Sequence, residues 1–318
     1  MANPNFDQIL ATTINNHRST LVDNIFSARP LFHFLKQAGN IKMENGGAKI
    51  VVPLIHALNQ ASGSYSDRDP LSTAVSTGLS AAEFNWKQYY STITISGLEE
   101  LKNNGEEQIV NLLEAKIMQS EETIAENLDI MFLAGVQADG LTGNSNKDFN
   151  GLRNLIASHA NNVNVGGINP TTNAYWASHR VALGGPLTIA ALTTAFNTVT
   201  VGADHPGVMI TTQVLYEKYE SLLQPQARYT NMETADAGFQ NLVFKNVPVT
   251  YDINTDAGYW YFVNPKYLQL IGHSDVWFKT TPFIRPEDVD AKFAQILLAG
   301  ELVVSNRKRQ GVITGATA

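Results

Sequence analysis

The chain has 318 residues, a formal net charge of −7, no cysteine, 44% hydrophobic residues and only 16% charged ones, against a usual charged share near ~25%. The missing cysteines exclude disulfides, thiolate metal sites and cysteine nucleophiles. The acidic balance argues against wrapping duplex DNA through its phosphates, which needs clustered Lys and Arg. A surface so poor in charge presents neutral polar and apolar area suited to contact with other protein, and the length allows two or three modules or one large one.

Residues 1–40 space Ile9, Leu10, Ile14, Leu21 and Ile25 as an arm of short helices, and Pro30 opens a further short helix that Gly39 can end. Such an arm cannot bury its own apolar face, so Leu31, Phe32, Phe34 and Leu35 need a partner surface from elsewhere. No basic and apolar leader stands at the start, and no run nears the ~18 apolar residues of a membrane span. The expectation is synthesis in the cytoplasm and no membrane partner.

Residues 49–58 (KIVVPLIHAL) and 82–96 (AEFNWKQYYSTITIS) read as two strands joined by a polar loop. Phe84, Trp86 and Tyr90 share one face while Ile93 and Ile95 fall on the other, which predicts a bulge or a change of buried face near Tyr89 and Tyr90. An isolated two-stranded hairpin is marginal in water, so this one must dock on something. Trp86 alone can bury on the order of 200 Å², worth up to roughly 5 kcal/mol.

A long helix is predicted from Asn104, as N-cap, to about Ala134. Glu106 and Glu107 lie in its first turn, and Ile109, Leu113, Ile117, Ile124, Leu128 and Met131 form its apolar stripe. At ~1.5 Å per residue it makes a rod of roughly 45 Å. Its polar face carries Glu114, Glu121, Glu122, Glu126 and Asp129 against the single cation Lys116 and reads as solvated.

A break rich in Gly, Asn and Asp at 135–151 opens a second module of α+β character. Its predicted elements are a helix at 187–200, a buried strand at 208–212, a helix at 213–223 stopped by Pro225, strands at 242–245, 247–252 and 258–263, and a helical turn near Pro265. Two strand-like runs, 291–298 and 301–305, flank Ala299-Gly300. The basic run Arg307-Lys308-Arg309 reads as a solvated tail.

Chemistry is sparse. The histidines stand at 17, 33, 56, 159, 179, 205 and 273 without helical metal-ligand spacing, and HExxH, P-loop and GxGxxG patterns are missing. His273-Ser274-Asp275 has the residue types of a triad, but adjacent side chains diverge and no GxSxG elbow surrounds the serine. Asp252, Asn254 and Asp256 alternate like the start of a calcium loop, yet Gly258 comes one place late and Val263 stands where a glutamate should; a β-turn explains them. No catalytic, cofactor or metal residue is expected.

Several stretches, in order, resemble tailed-bacteriophage major capsid proteins of the Hong Kong 97-type fold. They are Gly166-Gly167-Ile168-Asn169-Pro170 followed by Trp176, residues 215–226 (LYEKYESLLQPQ), 235–242 (ADAGFQNL), 248–252 (PVTYD), 261–265 (YFVNP) and 304–312 (VSNRKRQGV). The resemblance implies an N-terminal arm at 1–45, an extended β-hairpin loop at 46–97, a peripheral domain with its spine helix at 98–150, an axial domain at 151–275, and return of the chain to the peripheral domain at 276–318. It implies a structural subunit, not an enzyme, that assembles into pentamers and hexamers of an icosahedral head around double-stranded DNA, which it encloses without reading sequence.

The partners so implied are many copies of the chain itself, a portal protein, a separate scaffolding protein and a decoration or cement protein. The place is the virion, assembled in the host bacterial cytoplasm. Candidate intersubunit contacts are Phe32, Phe34, Tyr65, Asp67, Arg68, Asp69, Trp86 and Lys87. Some relatives cross-link through a lysine near the loop tip; residues 61–81 hold no lysine, so the expected shell is non-covalent. The arm begins almost at Met1, which leaves no room for a fused scaffolding segment. The acidic helix face, through Glu121, Glu122 and Glu126, is expected to keep packaged DNA from sticking. Two other readings stand beside this one: an encapsulin-like compartment with protein cargo, and a soluble hydrolase or binding protein.

Overall fold

Pro30 supplies a fixed φ and no needless amide at the first turn of α1 (Pro30–Gln37), and Gly39 at φ 66° lets the chain leave it. The computed structural model describes residues 29–75, 77–102, 109–134, 147–156, 164–223 and 242–318. The arm positions Ile9 to Ile25, the expected N-cap Asn104 with Glu106 and Glu107, the side chain of Glu114, and Pro225 lie outside the described residues. After α1 come β1 (Ile41–Glu44), β2 (Ile50–Ile55), β3 (Leu79–Phe84), β4 (Lys87–Ser96), α2 (Gly97–Lys102), α3 (Ile109–Leu133) and α4 (Leu152–Leu155). Then follow β5 (His179–Pro186), α5 (Ile189–Val199), β6 (Val208–Thr211), α6 (Gln213–Leu222), β7 (Leu242–Phe244), β8 (Val247–Tyr251), β9 (Trp260–Val263), β10 (Leu268–His273), β11 (Lys279–Thr280), β12 (Ala291–Val304) and β13 (Gly311–Thr317).

The strands sort into two sheets and a hairpin. One sheet runs β1-β10-β12-β11 with β4 also paired to β12. The other runs β5-β13-β9-β6-β8-β7, and β2 pairs β3 alone. In the six-stranded sheet, period-2 alternation divides β9 between two cores: Trp260 and Phe262 pack with Leu192, Phe196 and Tyr219 of α5 and α6, whereas Tyr261 and Val263 join the larger core. Thr188 and Thr212 cap α5 and α6 through their hydroxyls. The spine helix α3 lies on β4: Ser91 and Ser120 hydroxyls meet at 2.7 Å, Asn127 donates to the Tyr89 hydroxyl at 2.9 Å, and Lys116 donates to the Thr94 carbonyl at 2.7 Å.

Two expectations need correction. First, β12 is one strand of fourteen residues where two runs were expected. Gly300 is there for close approach, since a Cβ on it would sit 2.6 Å from the Ile271 carbonyl oxygen of the neighbouring strand. Second, the change of face falls at Asn85–Trp86, not at Tyr89 and Tyr90: β3 belongs to the hairpin, and β4 pairs without a bulge along β12 from Lys87↔Gly300 to Ser96↔Ala291. Strand pairing also links the segments to one another. β4 of the loop segment, β1 of the arm segment and β10 of the axial segment all join the five-stranded sheet, and β13, expected with the peripheral return, pairs β5 and β9 in the six-stranded one.

β12 also buries an acid. Glu301 is fully buried; one carboxyl oxygen accepts from the Asn150 and Leu302 amides at 2.7 and 3.0 Å, and the other has no donor. Burial pushes its pKa up to about 8, against the pull of those amides and of Lys87. A pKa raised by folding adds stability in full below the ordinary carboxyl value and loses it as pH rises through about 8. Glu301→Gln should therefore alter stability by less than ~1 kcal/mol near pH 4 and should flatten the loss between about pH 5 and 8 seen in thermal denaturation of the unaltered chain.

Candidate subunit-contact surfaces

The hairpin has two unlike faces. Strict alternation along β2 buries Ile50, Val52 and Leu54 and exposes Val51, Pro53 and Ile55. Across it, Ala82 and Phe84 point inward with Ile50 and Val52. The inner face sits on the turn at 165–168, where the Glu83 amide donates to the Gly166 carbonyl at 2.9 Å. Gly166 has φ 59° and lies so close that a Cβ would stand 2.8 Å from that of Ala82, so both its conformation and its lack of a side chain are required. His56 stacks on Tyr175 at 4.4 Å, and Trp86 donates from Nε1 to the Gly47 carbonyl at 2.9 Å while its ring meets His273 edge-on at 5.4 Å. The hairpin base is thus docked inside the chain, through Trp86 among others.

Toward the tip, the outer face is apolar and open. Ile55 and Leu79 lie directly opposite one another at 82% and 77% exposure. Beyond them, exposed Leu58, Tyr65, Leu71 and Val75 run into the tip. There Asp69 accepts the Ser66 amide at 2.8 Å in a local turn, and among the described residues Asp67 and Arg68 form no ion pair within the chain. Large apolar side chains exposed together in this way mark an interaction site more often than a free surface.

The other candidate contacts lie elsewhere. Phe32 and Phe34 are buried, Phe32 with its ring edge-on to Phe132 of α3 at 5.2 Å. Within the chain, the surface they pack against is its own core. Lys87 begins β4 opposite Gly300 and acts electrostatically on Glu301. The structure brings Tyr65, Asp67, Arg68 and Asp69 together on one tip and leaves Trp86 and Lys87 at the hairpin's root.

The residue sets that mimic chemistry have structural partners. The Asp275 amide donates to His273 Nδ1 at 3.2 Å, closing a turn at the end of β10. The three oxygen residues of the calcium-loop lookalike diverge: Asp252 accepts the Asn254 amide at 3.0 Å, Asn254 reaches Asp129 at 2.7 Å, and Asp256 pairs with Arg153 at 3.1 Å. Among the described residues no group of three or more His, Asp or Glu is placed to hold a metal.

Two polar features differ from the sequence expectation. Asp129, expected on the solvated helix face, is fully buried, and Glu126 bonds Arg29 and Asn254. Arg307, expected in a solvated tail, is fully buried too, while Arg309 pairs with Asp204 at 3.6 Å and Lys308 stays exposed.

No family model matches the sequence, and no curated protein does. Solved structures share the architecture. The capsid of cyanophage A-1(L) matches with a TM-score of 0.67 at 17% identity, over 89% of this chain and 93% of its own. The capsid of the native GTA particle gives 0.58 at 11% over 89% and 90%. The holo-SrpI encapsulin of Synechococcus elongatus gives 0.55 at 10% over 89% and 87%. These likenesses show the fold, and the chain has the mixed α+β, Hong Kong 97-type architecture of phage capsid proteins.

Proposed function

We propose that the chain is the major shell subunit of a tailed-phage head, a non-enzymatic protein that forms pentamers and hexamers around double-stranded DNA. The observation that carries the reading is the two-faced hairpin, docked at its root and apolar on its outer side, in a chain with a capsid fold. Such a surface is relieved by a second copy, and a head-to-tail contact between identical subunits closes into rings when the rotation permits. In this reading the five-stranded sheet with α3 is the peripheral domain and the α5–α6 module the axial domain. Tyr65, Asp67, Arg68 and Asp69 meet a neighbouring subunit at the tip, and Trp86 and Lys87 set the angle of the hairpin. Portal protein, a separate scaffolding protein and a decoration or cement protein complete the particle, which assembles in the bacterial cytoplasm. Glu122, exposed on the spine helix, faces the packaged DNA, whereas Glu126 is held by Arg29.

The purified chain, expressed alone, should run in sizing columns as species of pentamer size or larger, and should give shells of irregular diameter in negative stain. A monomer at every concentration overturns the reading. Boiled in detergent, the shells should give a single band on a gel, since the tip offers no lysine for a covalent link. The likeness to an encapsulin supports a second reading, a compartment with protein cargo. Nuclease-protected DNA in particles from infected cells favours the head, and co-purifying enzyme without DNA favours the compartment.

A further inference from the structure

Three parts of the chain converge on one buried acidic cluster. Arg29 comes from the flank of α1, Glu126 and Asp129 from α3, and Asp252 and Asn254 from the turn after β8. Asp129 has a side chain with no exposure, and Asp252 is 4% exposed. Asn254 Nδ2 donates to Asp129 Oδ2 at 2.7 Å and to Glu126 Oε1 at 3.2 Å, so it presents its amide hydrogens to the cluster. That orientation suits carboxyl groups and not a metal ion. Arg29 bonds Glu126 and stands 3.9 Å from Asp129 Oδ2. Among the described residues, three carboxyl groups thus face a single cation.

Asn254 bridges the two acids, its backbone amide on Asp252 Oδ1 at 3.0 Å and its side-chain amide on Asp129 Oδ2, while the other oxygens, Asp129 Oδ1 and Asp252 Oδ2, are buried and each lack a donor. Two carboxylates in a dry site cannot both hold a charge cheaply; a proton between them removes one charge and gives an acceptor its donor. We propose that Asp129 and Asp252 share a proton as an acid–carboxylate pair, and that this proton latches the spine helix to the six-stranded module. The latch is closed in mildly acidic solution and loosened in alkaline solution. It joins α3, which lies on the five-stranded sheet, to β8, a strand of the other sheet, so its state sets how firmly the two modules hold their relative position. The inference rests on this geometry and does not depend on the shell reading.

The sign follows from the direction of the shift. Burial first, and then Asp252, push the Asp129 pKa up to about 7 from 3.8, with Asn254 and Arg29 pulling the other way. The stabilisation by the proton is full below about pH 4 and is lost as pH rises through about 7. Asparagine at 129 imitates the protonated acid at every pH. Thermal denaturation of the purified chain and of Asp129→Asn between pH 5.5 and 8.5 should show the variant gaining on the parent as pH rises, by about 3 °C or more at the alkaline end. Deuterium exchange of the parent, corrected for intrinsic rates, should show residues 125–133 and 247–256 opening several-fold more often at pH 8.5 than at pH 5.5, a difference the variant loses. A melting-temperature gap that stays constant with pH, or parent exchange that is the same at both, overturns the latch. Asp252→Asn carries the same test if Asp129→Asn does not fold, and the exchange of the parent needs no variant.

Discussion

Arg307→Met is expected to cost about 2 to 4 kcal/mol of folding stability, read from the midpoint of urea denaturation at unchanged slope. The arginine is fully buried between three segments far apart in sequence. Its Nε donates to the Leu155 carbonyl at 2.7 Å, its Nη1 donates to the Trp176 carbonyl at 3.2 Å, and its guanidinium lies 6.0 Å from the centre of the Trp176 ring. Burial lowers its pKa to about 10, so it is still charged at neutral pH. Methionine fills similar volume but leaves two buried carbonyls without donors, each worth about 1 to 3 kcal/mol, while relief from burying a cation offsets part of the loss. Arg307→Lys separates charge from geometry. An ammonium keeps the charge but cannot reach both carbonyls in the planar fork or lie flat against the indole. A loss at least as large as that of methionine is expected, and a lysine variant as stable as the parent would show that charge alone suffices.

Arg307 also shows where local sequence stops informing. In sequence it is one of three adjacent cations; in space the three part company, because the turn at Arg307–Arg309 aims the first inward and the third at Asp204. Asp129 misled in the same way: helical periodicity assigns it to the polar face, and only the turn carrying Asp252 and Asn254, more than a hundred residues later, makes that face interior. What local chemistry governs was legible. Pro30 and Gly39 bound α1, β6 and α6 fall where their apolar patterns place them, and the β2 strand with its polar loop is evident. β5 and β13 were not, because His179-Arg180 and Gly184-Gly185 look like loop, and Gly311 to Thr317 has few apolar residues. Their pairing is parallel and spans 132 positions, from His179 to Gly311, which no local pattern encodes. The hairpin lies between these cases. Its need for a partner could be read from its length and polarity, whereas its two faces depend on Gly166 and Tyr175.

Those two faces give the second large effect. Ile55→Asp combined with Leu79→Lys should abolish shells while leaving the subunit folded. The two positions are direct cross-strand partners on the open face, so the opposite charges preserve or slightly favour the pairing of β2 with β3, by a few tenths of a kcal/mol. Neither side chain contributes to the core at 82% and 77% exposure, and the melting curve of the dissociated chain should move by less than ~1 kcal/mol. In the proposed shell the same face would be covered by a neighbouring subunit. Each large aliphatic side chain adds about 1.5 to 3 kcal/mol when fully buried, and a charge left unpaired in its place adds a desolvation cost of similar size. Two such losses at every repeated contact amount to at least ~3 kcal/mol per subunit, more than a hundredfold in each association step. Sedimentation and negative stain should find free subunits or small rings where the parent chain gives particles. Particles of normal yield from the double variant would place the subunit contact elsewhere than the outer face of the hairpin. A single Glu83→Gln control on the same strand, which removes only the exposed Lys49–Glu83 ion pair at 2.6 Å, should assemble as the parent does.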